Sequence, residues 1–170
     1  AAALSACGEP TLSDHKPTPV CGDAFSEERV TPLPDSLLVI ERLPALTAEQ
    51  AQRLAEARAQ PAAGSVVVAR LAETPEPMLG LGRAFVFSVS VTRSFVLVGM
   101  ERRAGQNSLS WYGWIADDNG EATLSLTSEG ITGVLLSIPK DRSEPTRYWF
   151  RPLGGGLHAV ICIDPSKLED

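Results

Sequence analysis

The sequence of 170 residues predicts a mainly β protein: an antiparallel β-sandwich or strongly curved sheet, with one surface α-helix at about 47–60 and an extended N-terminal arm. Three observations carry that expectation. Apolar residues from Phe85 onward fall into runs of strand length, turn residues separate each run from the next, and no helix of normal length fits between them. Such short connections suit antiparallel neighbours and leave no room for the crossovers that parallel strands need.

Leu37 to Ile40 reads as the first strand. Thr47-Ala48-Glu49-Gln50 then has capping-box spacing, in which the Thr hydroxyl accepts an amide three residues on and Gln50 reaches back. Good helix formers continue to Gln60, and Pro61 stops them. The apolar face is thin, Leu54 with Ala51, Ala55 and Ala57, so this helix should lie on the surface of the body. Ser65 to Leu71 is the next strand, broken by Pro75 and Pro77. Period-2 spacing puts Phe85, Phe87, Val89 and Val91 on one face, and Thr92-Arg93-Ser94 turns into Phe95 to Met100. Leu109 to Ile115 stops at Asp117-Asp118-Asn119-Gly120, where Asn-Gly is expected to supply the positive φ angles of a tight hairpin. Thr123 to Thr127 carries Leu124 and Leu126 on one face, and Glu129-Gly130 leads into Ile131 to Ile138. Arg147 to Arg151 and Leu157 to Ile163 flank Gly154-Gly155-Gly156. The sum is a single β-rich domain, residues 35–170, of about eight to ten strands.

A formal charge of -6 and a pI near 5.0 provide no electrostatic basis for nucleic-acid binding. Arg102-Arg103, the adjacent basic pair of the body, reads as a solvated turn. No apolar run reaches the roughly 18 residues of a membrane-spanning helix. Asp117 to Gly120 could suggest a calcium loop, but Glu121 arrives too soon for the ligand spacing, so the turn reading holds. The two histidines, His15 and His158, stand far apart with no partners at metal spacing, and neither has a motif that would activate a serine. His158 is expected to be a hydrogen-bonded structural residue. No catalytic residue, cofactor or metal ligand is expected. The candidate binding residues are aromatic: alternation sends Trp111 and Gly113 to one side and Tyr112 and Trp114 to the other, so one set is core. Trp114, Tyr148 and Trp149 are the candidates for a surface that a partner covers.

Leu4-Ser5-Ala6-Cys7 matches a bacterial lipobox. Residues 1–6 are then the end of a signal peptide, and Cys7 carries a lipid that anchors the protein to a bacterial membrane. Residues 7–34, with Pro10, Pro17, Pro19, Pro32 and Pro34, form a tether or arm. With Cys7 acylated, Cys21 and Cys162 remain and are the candidate disulfide; a Cys7 to Cys21 bridge and a buried Cys162 thiol stay open. Pro19-Val20-Cys21-Gly22-Asp23 is close to a thiolate switch that blocks a zymogen's zinc, except that Val20 stands where an Arg is needed.

The order of motifs in the second half is more specific. Trp111-Tyr112-Gly113-Trp114 precedes Ala122-Thr123-Leu124-Ser125-Leu126, Gly130 and Ile131-Thr132-Gly133-Val134. Arg147-Tyr148-Trp149-Phe150-Arg151-Pro152-Leu153-Gly154-Gly155-Gly156-Leu157-His158 follows, then Ile163-Asp164-Pro165-Ser166-Lys167. Across roughly the last hundred residues this order resembles the N-terminal pro-domain of secreted bacterial reprolysin-like zinc metalloproteases. The resemblance implies a fold that docks on a protease body by strand addition or loop insertion. The catalytic half of that family needs His-Glu-x-x-His, which is missing here, so the chain is the pro-part or a free-standing relative. The resulting expectation is a non-catalytic, extracytoplasmic lipoprotein of the periplasm or cell surface that binds another protein, a zinc metalloprotease foremost, as inhibitor or folding assistant. An envelope assembly or immunity lipoprotein and the cleaved pro-part of a longer zymogen remain as alternatives.

Overall fold

Alternation along the chain turns one face of each strand toward a shared interior, and in the computed structural model that interior is closed all the way round. The structure describes residues 35–141 and 143–168, so the arm, Cys7 and Cys21 lie outside the described residues. Its elements are β1 (Ser36–Glu41), α1 (Ala48–Arg58), β2 (Ala63–Leu71), β3 (Ala84–Ser88), β4 (Ser94–Ala104) and β5 (Leu109–Ile115), followed by β6 (Glu121–Thr127), β7 (Gly130–Ser137), β8 (Thr146–Gly154) and β9 (Leu157–Ile163). Short 3-10 turns occupy Glu76–Leu79 and Pro165–Lys167.

The strands close into a nine-stranded barrel in the order β1-β2-β9-β8-β7-β6-β5-β4-β3. Mainly β with one helix is therefore correct. The two packed layers of a sandwich are replaced by one sheet whose curvature joins its own edges. From β3 to β9 every neighbouring pair is antiparallel and consecutive in sequence, as turn-separated runs require. Closure comes from a parallel contact, Ser36 with Val86 and Leu38 with Phe87. Three strand extents differ from expectation by three residues or more: β3 ends at Ser88, β8 runs on to Gly154, and β4 runs on to Ala104 through a bulge that sets Met100 and Glu101 against Tyr112.

Aromatic rings fill the barrel. Phe87 meets Phe150 edge-on at 4.7 Å between centroids, Phe85 lies 5.2 Å from Trp111, and Phe95 lies 6.1 Å from Tyr148. Trp111 is 1% exposed, and its ring fits because Gly113 and Gly99 carry no side chain; a Cβ at either would overlap the indole or nearby backbone.

A second, smaller core lies outside the ring. All seven residues of β9 are buried, so its outer residues need a cover as well. Leu54 and Ala57 of α1 supply it, packing with Ala159, Ile161 and Ile163. The capping box forms as expected, with Gln50 N–H donating to the Thr47 hydroxyl at 3.3 Å and the Thr47 amide donating to Gln50 at 2.9 Å. Gln50 also donates to the Gly154 carbonyl at 2.9 Å, which ties the start of α1 to the β8–β9 turn. A helix with so thin an apolar face is held by tertiary contact rather than by its own propensity. Leu54→Ala should accordingly cost about 2–4 kcal/mol in urea unfolding. Ala55→Ser, at an exposed position of the same helix, should change stability by less than about 0.5 kcal/mol.

Candidate functional site

The same alternation that buries Trp111 exposes its neighbours. Tyr112 is 37% exposed and Trp114 is 42% exposed, both on the outer face of β5. The β4 bulge brings Met100 beside Tyr112, and the Gly82 amide donating to the Gly99 carbonyl holds Leu81 close by. Across the sheet Tyr112 is in register with Thr123, which is in register with Val134. Leu81, Met100, Tyr112, Trp114 and Val134 thus gather on one side of the barrel, away from the strands that α1 covers. Tyr112 is held in place by donating its hydroxyl to Glu121 at 2.8 Å, a bond that raises the phenol above its ordinary value.

The sequence-derived candidates are separated by this geometry. Trp114 faces solvent, while Trp149 is half-buried against the α1 layer. Tyr148 is 3% exposed in the interior and cannot meet a partner on the outer face. The reason is parity: on β8, Tyr148 and Phe150 point inward and Arg147, Trp149 and Arg151 outward. Met100 and Leu81 were not among the candidates, because a bulge and a loop contact, neither of them periodic, bring them to the patch.

One barrel end carries a polar plug. Arg93 lies 4.9 Å over the Phe95 ring and donates to the Ser137 hydroxyl at 3.2 Å and the Tyr148 hydroxyl at 3.4 Å. Ser137, fully buried, donates to Asp118 at 2.5 Å, so the Asp117 to Gly120 turn anchors the plug. Among the described residues no group of three His, Cys, Asp or Glu side chains could hold a metal ion. No helix among them is long and apolar enough to cross a membrane. Cys162 faces the interior from β9; its proposed partner Cys21 lies outside the described residues.

His158, expected to be structural, is fully buried. Its Nε2 accepts the Ile131 amide at 2.8 Å, so that nitrogen holds a lone pair and the proton sits on Nδ1, 3.2 Å from the Gly156 carbonyl. The ring therefore ties the start of β7 to the β8–β9 turn. Gly130, at φ +127°, makes room, since a Cβ there would overlap the imidazole. Burial holds this imidazole below its ordinary 6.5, opposed by the bond to Gly156. Stability linked to His158 is thus complete above pH 6.5 and is lost as pH falls from there toward the depressed folded value, because the unfolded chain takes up a proton that the fold resists. The unfolding free energy from urea titrations should be flat near neutrality and fall by up to about 1.4 kcal/mol per pH unit in mild acid. His158→Gln should lower stability by about 1–3 kcal/mol near neutrality and remove that acid slope.

Comparison with protein-family models, with curated proteins and with solved structures finds no match for this chain.

Proposed function

We propose that this protein is a non-catalytic, extracytoplasmic domain, anchored to a bacterial membrane by lipid on Cys7, that binds another protein through the outer face of its barrel. The observation that carries the reading is the gathering of Leu81, Met100, Tyr112, Trp114 and Val134 on the side that α1 leaves uncovered. The interior is filled by aromatic rings, so what the barrel offers a ligand lies on its outside. Trp and Tyr are the residues that most often anchor protein interfaces, since each buries a large area at small entropic cost. The sequence likeness to metalloprotease pro-domains names the partner: a zinc metalloprotease of the same cell, whose folding is assisted or whose cleft is covered. A Cys21–Cys162 disulfide, which belongs to the same proposal, would pin the arm to β9.

Purified protein mixed with the cell's secreted zinc metalloproteases should bind one of them and change its turnover or its refolding yield. Trp114→Ser should weaken that binding by about 10–100-fold while leaving the far-ultraviolet spectrum and the unfolding midpoint unchanged. Full-strength binding by Trp114→Ser, or binding to none of the proteases, would sink the reading. Mass spectrometry of material from native membranes should find cleavage before Cys7, an acylated Cys7 and a Cys21–Cys162 bridge. An unmodified chain still beginning at Ala1 would remove the anchor from the proposal.

A further inference from the structure

The closed ring has a gap in its hydrogen bonding between β1 and β2. Antiparallel pairing of β1 with β2 runs from Leu38 opposite Leu71 to Glu41 opposite Val68, and there β1 stops. The chain turns away toward α1, and Leu43, which would have faced Val66, is 96% exposed. Two bonds fix which way the β2 backbone points: the Leu71 amide donates to Gly156 on the β9 side, and the Ala72 amide donates to Leu37 on the β1 side. N–H and C=O groups alternate sides along a strand, so those of Val66 point where β1 has left. Among the described residues Val66 has no backbone partner on that side. Closing the barrel pairs most of its strand edges, and this stretch of β2 stays open.

This edge opens into a cleft of about 320 Å³, walled by Ile40, Leu43, Leu46, Leu54, Val67 and Val91. That volume suits one or two apolar side chains. Arg58 stands on its rim in the last turn of α1 and has no hydrogen-bond or ion-pair partner among the described residues. Glu41, the acidic residue of the lining, is already paired with Arg70 at 2.5 Å. The cleft therefore joins an unpaired strand edge, apolar walls and an uncompensated positive charge.

We propose that the β2 edge at Val66 is a strand-addition site for an extended segment of the partner protein, one apolar side chain filling the cleft and a neighbouring acidic side chain meeting Arg58. Backbone pairing to Val66 provides affinity and the cleft with Arg58 provides choice. The inference deepens the protein-binding reading above and rests on it.

The probe is a capped synthetic peptide of about seven residues, alternating valine and threonine with one glutamate, added to the full-length protein. The Val66 amide should exchange rapidly in the free protein and slow by about tenfold or more at saturating peptide. Methylating the peptide nitrogens that face Val66 should abolish binding, and Arg58→Gln should weaken the glutamate peptide by about 3–10-fold but not its glutamine counterpart. Rapid Val66 exchange at every peptide concentration overturns the proposal. So does slow exchange in the free protein: if deletion of residues 1–34 releases it, the protein's own arm is the occupant, and if dilution releases it, a second copy is. Failure here is separable from failure of the wider reading. If the peptide does not bind but a metalloprotease does, and Trp114→Ser abolishes that binding, the partner uses the aromatic face alone; if neither binds, both proposals fall.

Discussion

Closing nine strands into a ring leaves an interior that must be filled without voids, and the rest of the molecule follows from that requirement. The filling is aromatic. Phe85, Phe87, Trp111 and Phe150 take the space, and glycines at 99 and 113 yield the room that the Trp111 indole occupies. The ring is joined by the short parallel contact between β1 and β3, where only two residue pairs are in register. β1 ends at Glu41, where the chain turns toward α1, so it does not follow β2 along its whole length and the Val66 backbone is left unpaired on that side.

The outside of the barrel is divided by the helix. Where α1 covers β9, the outer positions are apolar and buried, and the covered surface forms a core of its own. Where no helix lies, the outer positions of β6 are Glu121, Thr123 and Ser125, as a solvated face requires. Tyr112, Trp114 and Met100 break that rule on β5 and β4, and Val134 does so on β7, beyond Thr123. Single exposed apolar residues are ordinary, but a set gathered on one side of the barrel is less so.

Polar groups inside the barrel are satisfied locally, and each satisfaction fixes a turn. His158 is buried neutral because its Nε2 must accept from Ile131, so one side chain holds two turns while resisting protonation. Arg93 at the plug does comparable work for the turns around Asp118 and Ser137, reaching the Asp118 carboxylate through the Ser137 hydroxyl. Among the described residues the indole nitrogen of Trp111 is the exception, buried with no hydrogen-bond partner. Its burial is set by packing between Gly99 and Gly113 rather than by hydrogen bonding.

Much of this was legible in the residues. The capping box at Thr47 and the opposite faces of Trp111 and Trp114 depend on neighbours a few positions away, and local chemistry settles them. A turn joins β5 to β6 where one was expected, but neither Asn119 nor Gly120 takes the positive φ expected of it. The run Leu157 to Ile163, apolar apart from His158, also carried a signal that both faces of β9 are covered. Barrel and sandwich produce the same alternation, so the sequence could not choose between them. That choice lies in the contact of Ser36 and Leu38 with Val86 and Phe87, far along the chain. Likewise Trp114 and Trp149 are both outward by parity, and only the placement of α1 covers one and leaves the other to solvent. Short-range geometry determined the strands, the helix and the inward faces, because each is an energy balance within a few residues. Closure, exposure and the open edge at Val66 were decided by the tertiary structure, because they are properties of which distant segments fill the same space.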